Sequence, residues 1–597
     1  MTNMDLAVVG NCMVASIIDR RARHVWFCYP RLDGDPLFNA LVNGAEPSAG
    51  FMDVDVVGYA GATQSYLRNS AVLETVITGE GGNTIRVLDW APRFKLHGRP
   101  FRPPLLVRRI EPATGRCRLT VRVRPTFDYG ASPPTITFGS YHLRFHSGAE
   151  SVRLTTDLPI AYVREEVSFL IDQPVHFFFG SDEVLPGRPD KVAREYLEET
   201  IVYWNDWVRD LAVPFDWQEA VIRAAITLKL CSFEDTGAIL AALTTSLPEA
   251  SNSGRNWDYR FCWLRDSFFT VYSLNRLGAT WTMENYITYL IDCVLSSEAE
   301  FLAPVFPVVP GTPVEEHHAP VLNGYRGMGP VRVGNAAVIQ RQNDIYGSVI
   351  LAAAQMFWDN RLPRPGDVNL YHRLKNLGRI AARVALEPDA GIWEYRGFTR
   401  VHTFSAMMCW AALQRLGHIA YRVGEEADGR QWLAHAASLR EEIMRRAWNE
   451  ERQYFGGSLG GSELDAALLL MPEIGIISHS DQRFLRTLAA IESHLLRGGL
   501  LMRYAEADDF GMPETAFLVC SFWYIDALTN VGRREEALAL FQRILGLRNH
   551  VGLLSEDVVT ETGELWGNFP QTYSHVGLIH SALKLSRTWE EGLWRVS

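Results

Sequence analysis

Along the first 180 residues, apolar and polar positions alternate with a period of two. Cys117, Leu119, Val121 and Val123 interleave with Arg118, Thr120, Arg122 and Arg124, which turns one face of an extended segment toward a core. Residues 71–78 and 84–90 are two further β-prone runs, joined by Gly-Glu-Gly-Gly-Asn, a hairpin signal. The pattern recurs at 141–146, 151–155 and 175–179, with Gly and Pro between the runs. Many short strands without intervening helices predict an antiparallel β-sandwich over residues 1–185.

Near Pro189 the period lengthens. Val192, Tyr196, Leu197, Ile201, Trp204 and Val208 recur at helical spacing and Pro214 follows them, so residues 186–214 read as a helical linker. Beyond it the spacing predicts twelve helices, near 217–233, 265–277, 281–297, 343–359, 367–386, 402–422, 428–448, 462–470, 481–495, 514–531, 533–546 and 571–587. Asp481 and Pro513 stand just ahead of their runs, where helices start. A dozen helices with few strands suggest helical hairpins closed into a toroid over 215–597, although periodicity predicts the helices and not their closure. Three connections, 299–342, 386–401 and 547–570, are long for helix links and rich in Gly, Pro and aromatics.

Composition narrows the function. With 47% hydrophobic and 21% charged residues in 597, the chain is globular, which excludes disorder, collagen-like repeats and a coiled-coil rod. A net charge of −11 without any Lys/Arg block argues against nucleic acid, because neutralising phosphates takes clustered cations. No run of 18 apolar residues exists, so no membrane span is expected. The apolar stretch 6–18 is broken by Asn11 and has no Lys or Arg before it, unlike a secretory leader. Eight scattered cysteines, never in C-x-x-C, suit reduced and mostly buried thiols in a cytoplasmic protein. A small-molecule partner remains, with homo-oligomerisation left open.

The densest polar and aromatic cluster is Asn256-Trp257-Asp258-Tyr259-Arg260-Phe261-Cys262-Trp263-Leu264-Arg265-Asp266. Arg265 and Asp266 would serve as ordinary helix-start residues. Four aromatics and two Arg–Asp groups in eleven residues exceed that need and suit a sugar, with rings on C–H faces and charged groups on hydroxyls. Asp389-Ala390-Gly391-Ile392-Trp393-Glu394 ends in a carboxylate beside an indole, a setting that disfavours the charged form and suits a general acid; alone, it would read as an exposed loop acid. Leu553-Leu554-Ser555-Glu556-Asp557 offers a second carboxylate, with Ser555 placed to orient it, in a loop that holds several other acids.

Three motifs point elsewhere. Gly456-Gly457-Ser458-Leu459-Gly460 matches the nucleophile-elbow pattern, but the surrounding region lacks the alternating β/α order that makes the pattern meaningful. Glu315-Glu316-His317-His318 lacks the helical spacing of a zinc site and reads as a charged loop. The run Leu468-Leu469-Leu470-Met471 reads as core.

Taken together and in order, these motifs resemble glycoside hydrolase family 15, the group of glucoamylases, glucodextranases and bacterial trehalases. The resemblance rests on residues 256–266, on Gly-Tyr-Arg-Gly-Met-Gly-Pro-Val-Arg-Val-Gly-Asn (324–335), 391–394, 553–557 and Trp-Gly-Asn-Phe-Pro-Gln-Thr-Tyr-Ser-His (566–575), and on an opening segment, 5–33, like that of the bacterial members. It implies an N-terminal β-sandwich, an (α/α)6 barrel, and an inverting α-glucosidase releasing β-glucose. Glu394 falls on the family's general acid and Glu556 on its catalytic base. Arg265 and Asp266 fall on the pair that binds the −1 sugar, Trp263 and Trp393 on aromatics of that subsite, and Tyr259 on the Tyr near the base. The 299–342 loop would close the far side, with Tyr325, Arg326 and Asn335 as contacts. Tyr395-Arg396 replaces the second Glu of fungal glucoamylases, so the next subsite differs. No metal or organic cofactor is implied, although some relatives respond to phosphate and magnesium. Trehalose is the favoured substrate and short α-glucans the next. A serine hydrolase using Ser458 and a non-catalytic sugar-binding protein are the readings of other classes.

Overall fold

A computed structural model describes residues 4–294 and 301–593. Two antiparallel sheets occupy the N-terminal part. One orders its strands Leu6–Gly10, Ala15–Asp19, His24–Tyr29, Phe51–Val56, Arg118–Arg124 and Phe169–Leu170, with Asp35–Phe38 branching from His24–Tyr29. The other runs Thr135–Phe138, His142–Ser147, Glu150–Thr156, Val175–Gly180, Leu105–Thr114, Thr84–Trp90, Leu73–Thr78 and Gly61–Tyr66. In Arg118–Arg124 and Leu73–Thr78 every second side chain is buried, so the period of two in the sequence is a core face. Leu6–Gly10 is buried along its whole length because it also contacts the helical part.

Helix α1 (Pro189–Arg209), with Pro at its start, leads from the sheets to the helices. Among the described residues, twelve segments then alternate between two layers. The inner layer holds α3 (Leu264–Arg276), α5 (Asp344–Ala354), α7 (Thr403–Arg422), a 3-10 turn Ala466–Leu470 continued by α9 (Met471–Ile474), α11 (Leu518–Asn530) and α13 (Thr572–Leu585). The outer layer holds α2 (Gln218–Leu230), α4 (Thr280–Cys293), α6 (Val368–Val384), α8 (Glu426–Ala447), α10 (Gln482–Leu495) and α12 (Arg534–Leu547). Contacts pass from α3 to α5, α7, α9 with its 3-10 turn, α11 and α13, and from α13 back to α3. Inner α7, α11 and α13 are buried nearly all round, whereas outer α6 and α10 bury one stripe. The sequence expectation of a helix over 462–470 meets a 3-10 turn whose start Asp465 caps through Ala467 N. The last residues of the expected 281–297 helix lie outside the described residues.

No helix of the described residues is long and apolar enough to cross a membrane. All eight cysteines are free and all but Cys293 are buried. A buried cluster ties the two parts together: Glu234, just after α2, accepts hydrogen bonds from Arg93 on both oxygens at 2.7 Å and from Lys229 at 2.8 Å.

Candidate active site

The inner helices α3, α11 and α13 start beside one pocket, which is lined by Trp263, Arg265 and Asp266, by Phe517 and Trp523, and by Gln571 and Tyr573. Helix N-termini carry partial positive charge, so this end of the helical layer favours carboxylates. The connecting loops bring those carboxylates in.

Glu394 ends the turn that begins at Gly391, and its backbone is left-handed, with φ 59°. Such a conformation costs a non-glycine residue about 1–2 kcal/mol and persists where the surroundings enforce it. Gly391 is required as well, since it has φ 68° and a Cβ there would stand 2.7 Å from the His402 ring. The turn delivers Glu394 Oε1 to Trp263 Nε1 (2.6 Å) and Arg265 Nη2 (3.2 Å), both donating. The neighbouring Trp393 donates through Nε1 to Asp465 Oδ2 at 2.8 Å, which fixes the indole against the pocket. Arg265 is held in turn by Gln342 Oε1 (2.8 Å) and Asp344 Oδ2 (3.1 Å). Burial pushes the Asp266 carboxyl up to about 7, with Arg265 opposing and Glu394 adding to the rise.

Glu556 precedes the short strand Asp557–Val558, which pairs with both Ala516–Phe517 and Leu565–Trp566. Its carbonyl accepts from Leu518 N at the start of α11 (3.0 Å), so sheet and helix fix its backbone together. Tyr259 Oη donates to Glu556 Oε1 at 2.6 Å, while Oε2 is buried with no protein partner. Burial raises the Glu556 pKa well above the ordinary carboxylate range; Glu249 and Asp557 add to the rise, and the Tyr259 hydroxyl and Arg503 oppose it. Gly567 (φ 80°) makes room, because a Cβ there would lie 2.6 Å from the Glu556 Cβ. Ser555 points away from this carboxylate, and its hydroxyl donates to the Asp557 carbonyl at 3.1 Å.

Two carboxylates with different surroundings, Arg265, and aromatic walls thus share one pocket. The sequence model for glycosyl hydrolases family 15 matches residues 216–583. The chain belongs to this family. It is a glycoside hydrolase. A trehalase of Mycolicibacterium smegmatis is 31% identical, over 98% of this chain and 92% of its own length. A trehalase of Thermoplasma volcanium is 28% identical, over 97% and 92%. The fold is similar to that of a bacterial glucoamylase solved with acarbose, with a TM-score of 0.68, 14% identity, and 98% and 94% of the two chains covered.

Most of the expected residues meet in this family 15 pocket: Tyr259, Trp263, Arg265, Asp266, Asn335, Trp393, Glu394 and Glu556. Asn335 also caps the 3-10 turn Ala336–Ile339. Tyr325 and Arg326 are not part of the lining. The pair Gly324–Tyr325 lies parallel to Asn43–Gly44 of the N-terminal part, and Arg326 reaches Glu564 at 3.0 Å. That pairing directs the segment toward the N-terminal part. The Asp258–Arg260 pair is also structural. Arg260 donates to Asp258, to the Gly34 carbonyl (3.0 Å) and to the Tyr129 hydroxyl (2.8 Å). Of the two Arg–Asp groups in the motif, only Arg265–Asp266 lines the pocket.

Sequence reasoning missed Glu249, Arg255, Arg503 and Asp508, which also line it. Arg503 Nη2 donates to Glu249 Oε2 (2.5 Å), Trp257 Nε1 donates to Glu249 Oε1 (3.0 Å), and Arg255 pairs with Asp508. No local pattern marks them, since Glu249 and Arg255 stand in a polar Ser/Asn loop and Arg503 and Asp508 in one with other acids. Ser458 sits in a tight turn, and among the described residues no hydrogen bond joins its hydroxyl to a histidine. Glu316 is paired with Arg332 and Arg396, and no group of three or more His, Cys, Asp or Glu among the described residues is arranged to hold a metal.

Proposed function

We propose that this hydrolase is an inverting, exo-acting α-glucosidase that acts on α,α-trehalose. The carrying observation is the asymmetry of the two carboxyls in one pocket. Glu394 Oε1 takes two donors, which leaves Oε2 as the oxygen that carries a proton to the glycosidic oxygen. Arg265 then stabilises the carboxylate that remains. Glu556 Oε1 is held by Tyr259, and Oε2 is the oxygen that takes a proton from the attacking water. Asp266, Trp263 and Trp393 grip the reacting glucose. Inversion requires room for water between the carboxyls, about 6.5–9.5 Å. The acid–base steps themselves use no metal or organic cofactor; a rate that falls with a chelator or rises with phosphate or magnesium would group this chain with the relatives that respond to them.

In this reading residues 1–185 form a β-sandwich, 186–214 a helical linker, and 215–597 an (α/α)6 barrel; the two-layer circuit of twelve segments supports the last. The trehalases above align with this chain over nearly their whole length, which supports the substrate. Eight free cysteines suit a reducing, cytoplasmic setting.

The test is hydrolysis of trehalose, maltose, isomaltose and maltotriose, with NMR reading the anomers first released. Trehalose should be cleaved fastest. An inverting enzyme releases one β-glucose by attack and one α-glucose as leaving group, so the two anomers should appear in equal amounts. Only α-glucose from trehalose would mean retention. Faster cleavage of maltose or maltotriose would make the enzyme a glucoamylase-type glucosidase instead.

A further inference from the structure

The inner helices have a second end. Where their N-termini face the catalytic pocket, their later turns enclose a separate cavity of about 340 Å³. Tyr272 and Arg276 of α3, Trp358 after α5, Arg415 of α7, Phe522 of α11 and His580 of α13 line it. Tyr272 and Trp358 are partly exposed (40% and 42%), so the cavity has an open mouth with aromatic walls. Trp523 lines both this cavity and the catalytic pocket and touches Trp393.

The polar groups here are unevenly used. Asp526 and Glu473 are already engaged: Asp526 by Ser581 and Lys584, Glu473 by Asn530 and Lys584. Arg415 has no hydrogen bond or ion pair among the described residues, and burial pulls its guanidinium below the ordinary value. Arg276 lies over the Tyr272 ring at 5.8 Å and pairs with no carboxylate among the described residues. His580 Nε2 is buried without a hydrogen-bond partner among the described residues, and burial lowers this imidazole to about 3, so it is neutral at physiological pH. What remains unspent is donor capacity, next to flat apolar surface. A half-buried cation without a counter-ion is costly unless an anion completes it.

We infer that this cavity is a second, non-catalytic binding site for a small organic anion: a ring whose apolar face lies on Tyr272 and Trp358 and that carries one carboxylate or phosphate received by Arg415 and Arg276. Neutral sugars lack the charge, and cations meet the arginines. The site does not depend on which glucoside the enzyme hydrolyses.

Binding to the whole enzyme, read by calorimetry and by tryptophan fluorescence, tests it with benzoate, glucose 6-phosphate, inorganic phosphate, benzyl alcohol and glucose. A ring-bearing anion should bind saturably below about 10 mM and at least about tenfold more tightly than its neutral counterpart. Arg415→Gln should weaken binding about tenfold or more while trehalose hydrolysis persists. Trp358→Leu, at the exposed mouth, should weaken the ring-bearing anion and serves if the first variant misfolds. Benzoate and glucose 6-phosphate together distinguish an aryl carboxylate from a sugar phosphate. The inference is overturned by equal affinity for the neutral partner, by binding indifferent to both variants, by competition with substrate in steady-state kinetics, or by no saturable binding. Inorganic phosphate binding as tightly as the ring-bearing anions would overturn the role of the aromatic walls.

Discussion

In the proposed mechanism Glu556 is a base in an acidic neighbourhood. Its burial and the nearby Glu249 and Asp557 lift its pKa, so it takes a proton readily but must be ionised to act. The sign follows directly: as pH falls, Glu556 is protonated early and the enzyme loses its base. The acidic limb of kcat/KM for trehalose should therefore lie above the ordinary carboxylate value. Glu249→Gln removes one of the two charges that raise Glu556, so the limb should move to lower pH; a limb that stays put would show that Glu249 does not act on the base. The carboxyls should also separate by substrate. Glu394→Gln should slow trehalose hydrolysis by about 10²–10⁴-fold. It should affect α-glucosyl fluoride far less, because fluoride departs with little protonation. Glu556→Gln removes a step shared by both substrates, so both should slow. Equal losses on the two substrates for Glu394→Gln would refute its role as acid.

At the scale of elements, the site is a set of short, strained connections braced by regular structure. Gly567 shows how little room they have, with its left-handed φ of 80° and a virtual Cβ almost touching Glu556. Gly567→Ala should push the base out of place and lower kcat strongly while moving Tm only by the cost of one strained turn, about 1–2 kcal/mol of stability. A variant with full activity would mean that the loop can yield. These connections also mark the limit of what sequence could say. Alternation at 117–124 and helical spacing at 367–386 follow from burial of one face, so strands and helices were legible. Glu394 and Glu556 were picked out through the family resemblance of their motifs, since each alone reads as an ordinary loop acid, and both line the pocket. Glu249 and Arg503 were not, since their meaning lies in a hydrogen bond across 254 residues of chain that leaves no local pattern. Tyr325 looked like a pocket residue for the opposite reason. Its Gly-rich segment suits a loop at a site, and a parallel pairing with Asn43–Gly44 claims it instead.

At the scale of the whole molecule, the N-terminal sheets brace the motif that carries Tyr259, Trp263, Arg265 and Asp266. Arg260 carries the link: it lies between Tyr259 and Phe261, six residues before Asp266, yet its donors end on Gly34 and Tyr129 of the sheet part. Glu234 is the matching tie on the other element, buried between Lys229 of α2 and Arg93 from the sheets. Burial opposes its ionised form, but Lys229 and Arg93 outweigh it and hold the carboxyl far below its ordinary value. Glu234→Gln leaves two buried cations without their counter-ion, a loss of about 3–5 kcal/mol where a buried pair is broken. Because a native pKa below the unfolded one adds stability only above the unfolded pKa, the wild type should gain over the variant at neutral pH. That difference should shrink as pH falls through about 4.3 and below. Calorimetry on both proteins from neutral to acidic pH measures it, with sheets and helices expected to melt in one shared transition. Two transitions of which only one moves with the variant would show that Glu234 stabilises its own helix and does not join the parts. A difference that persists at low pH would show that its charge is not what matters.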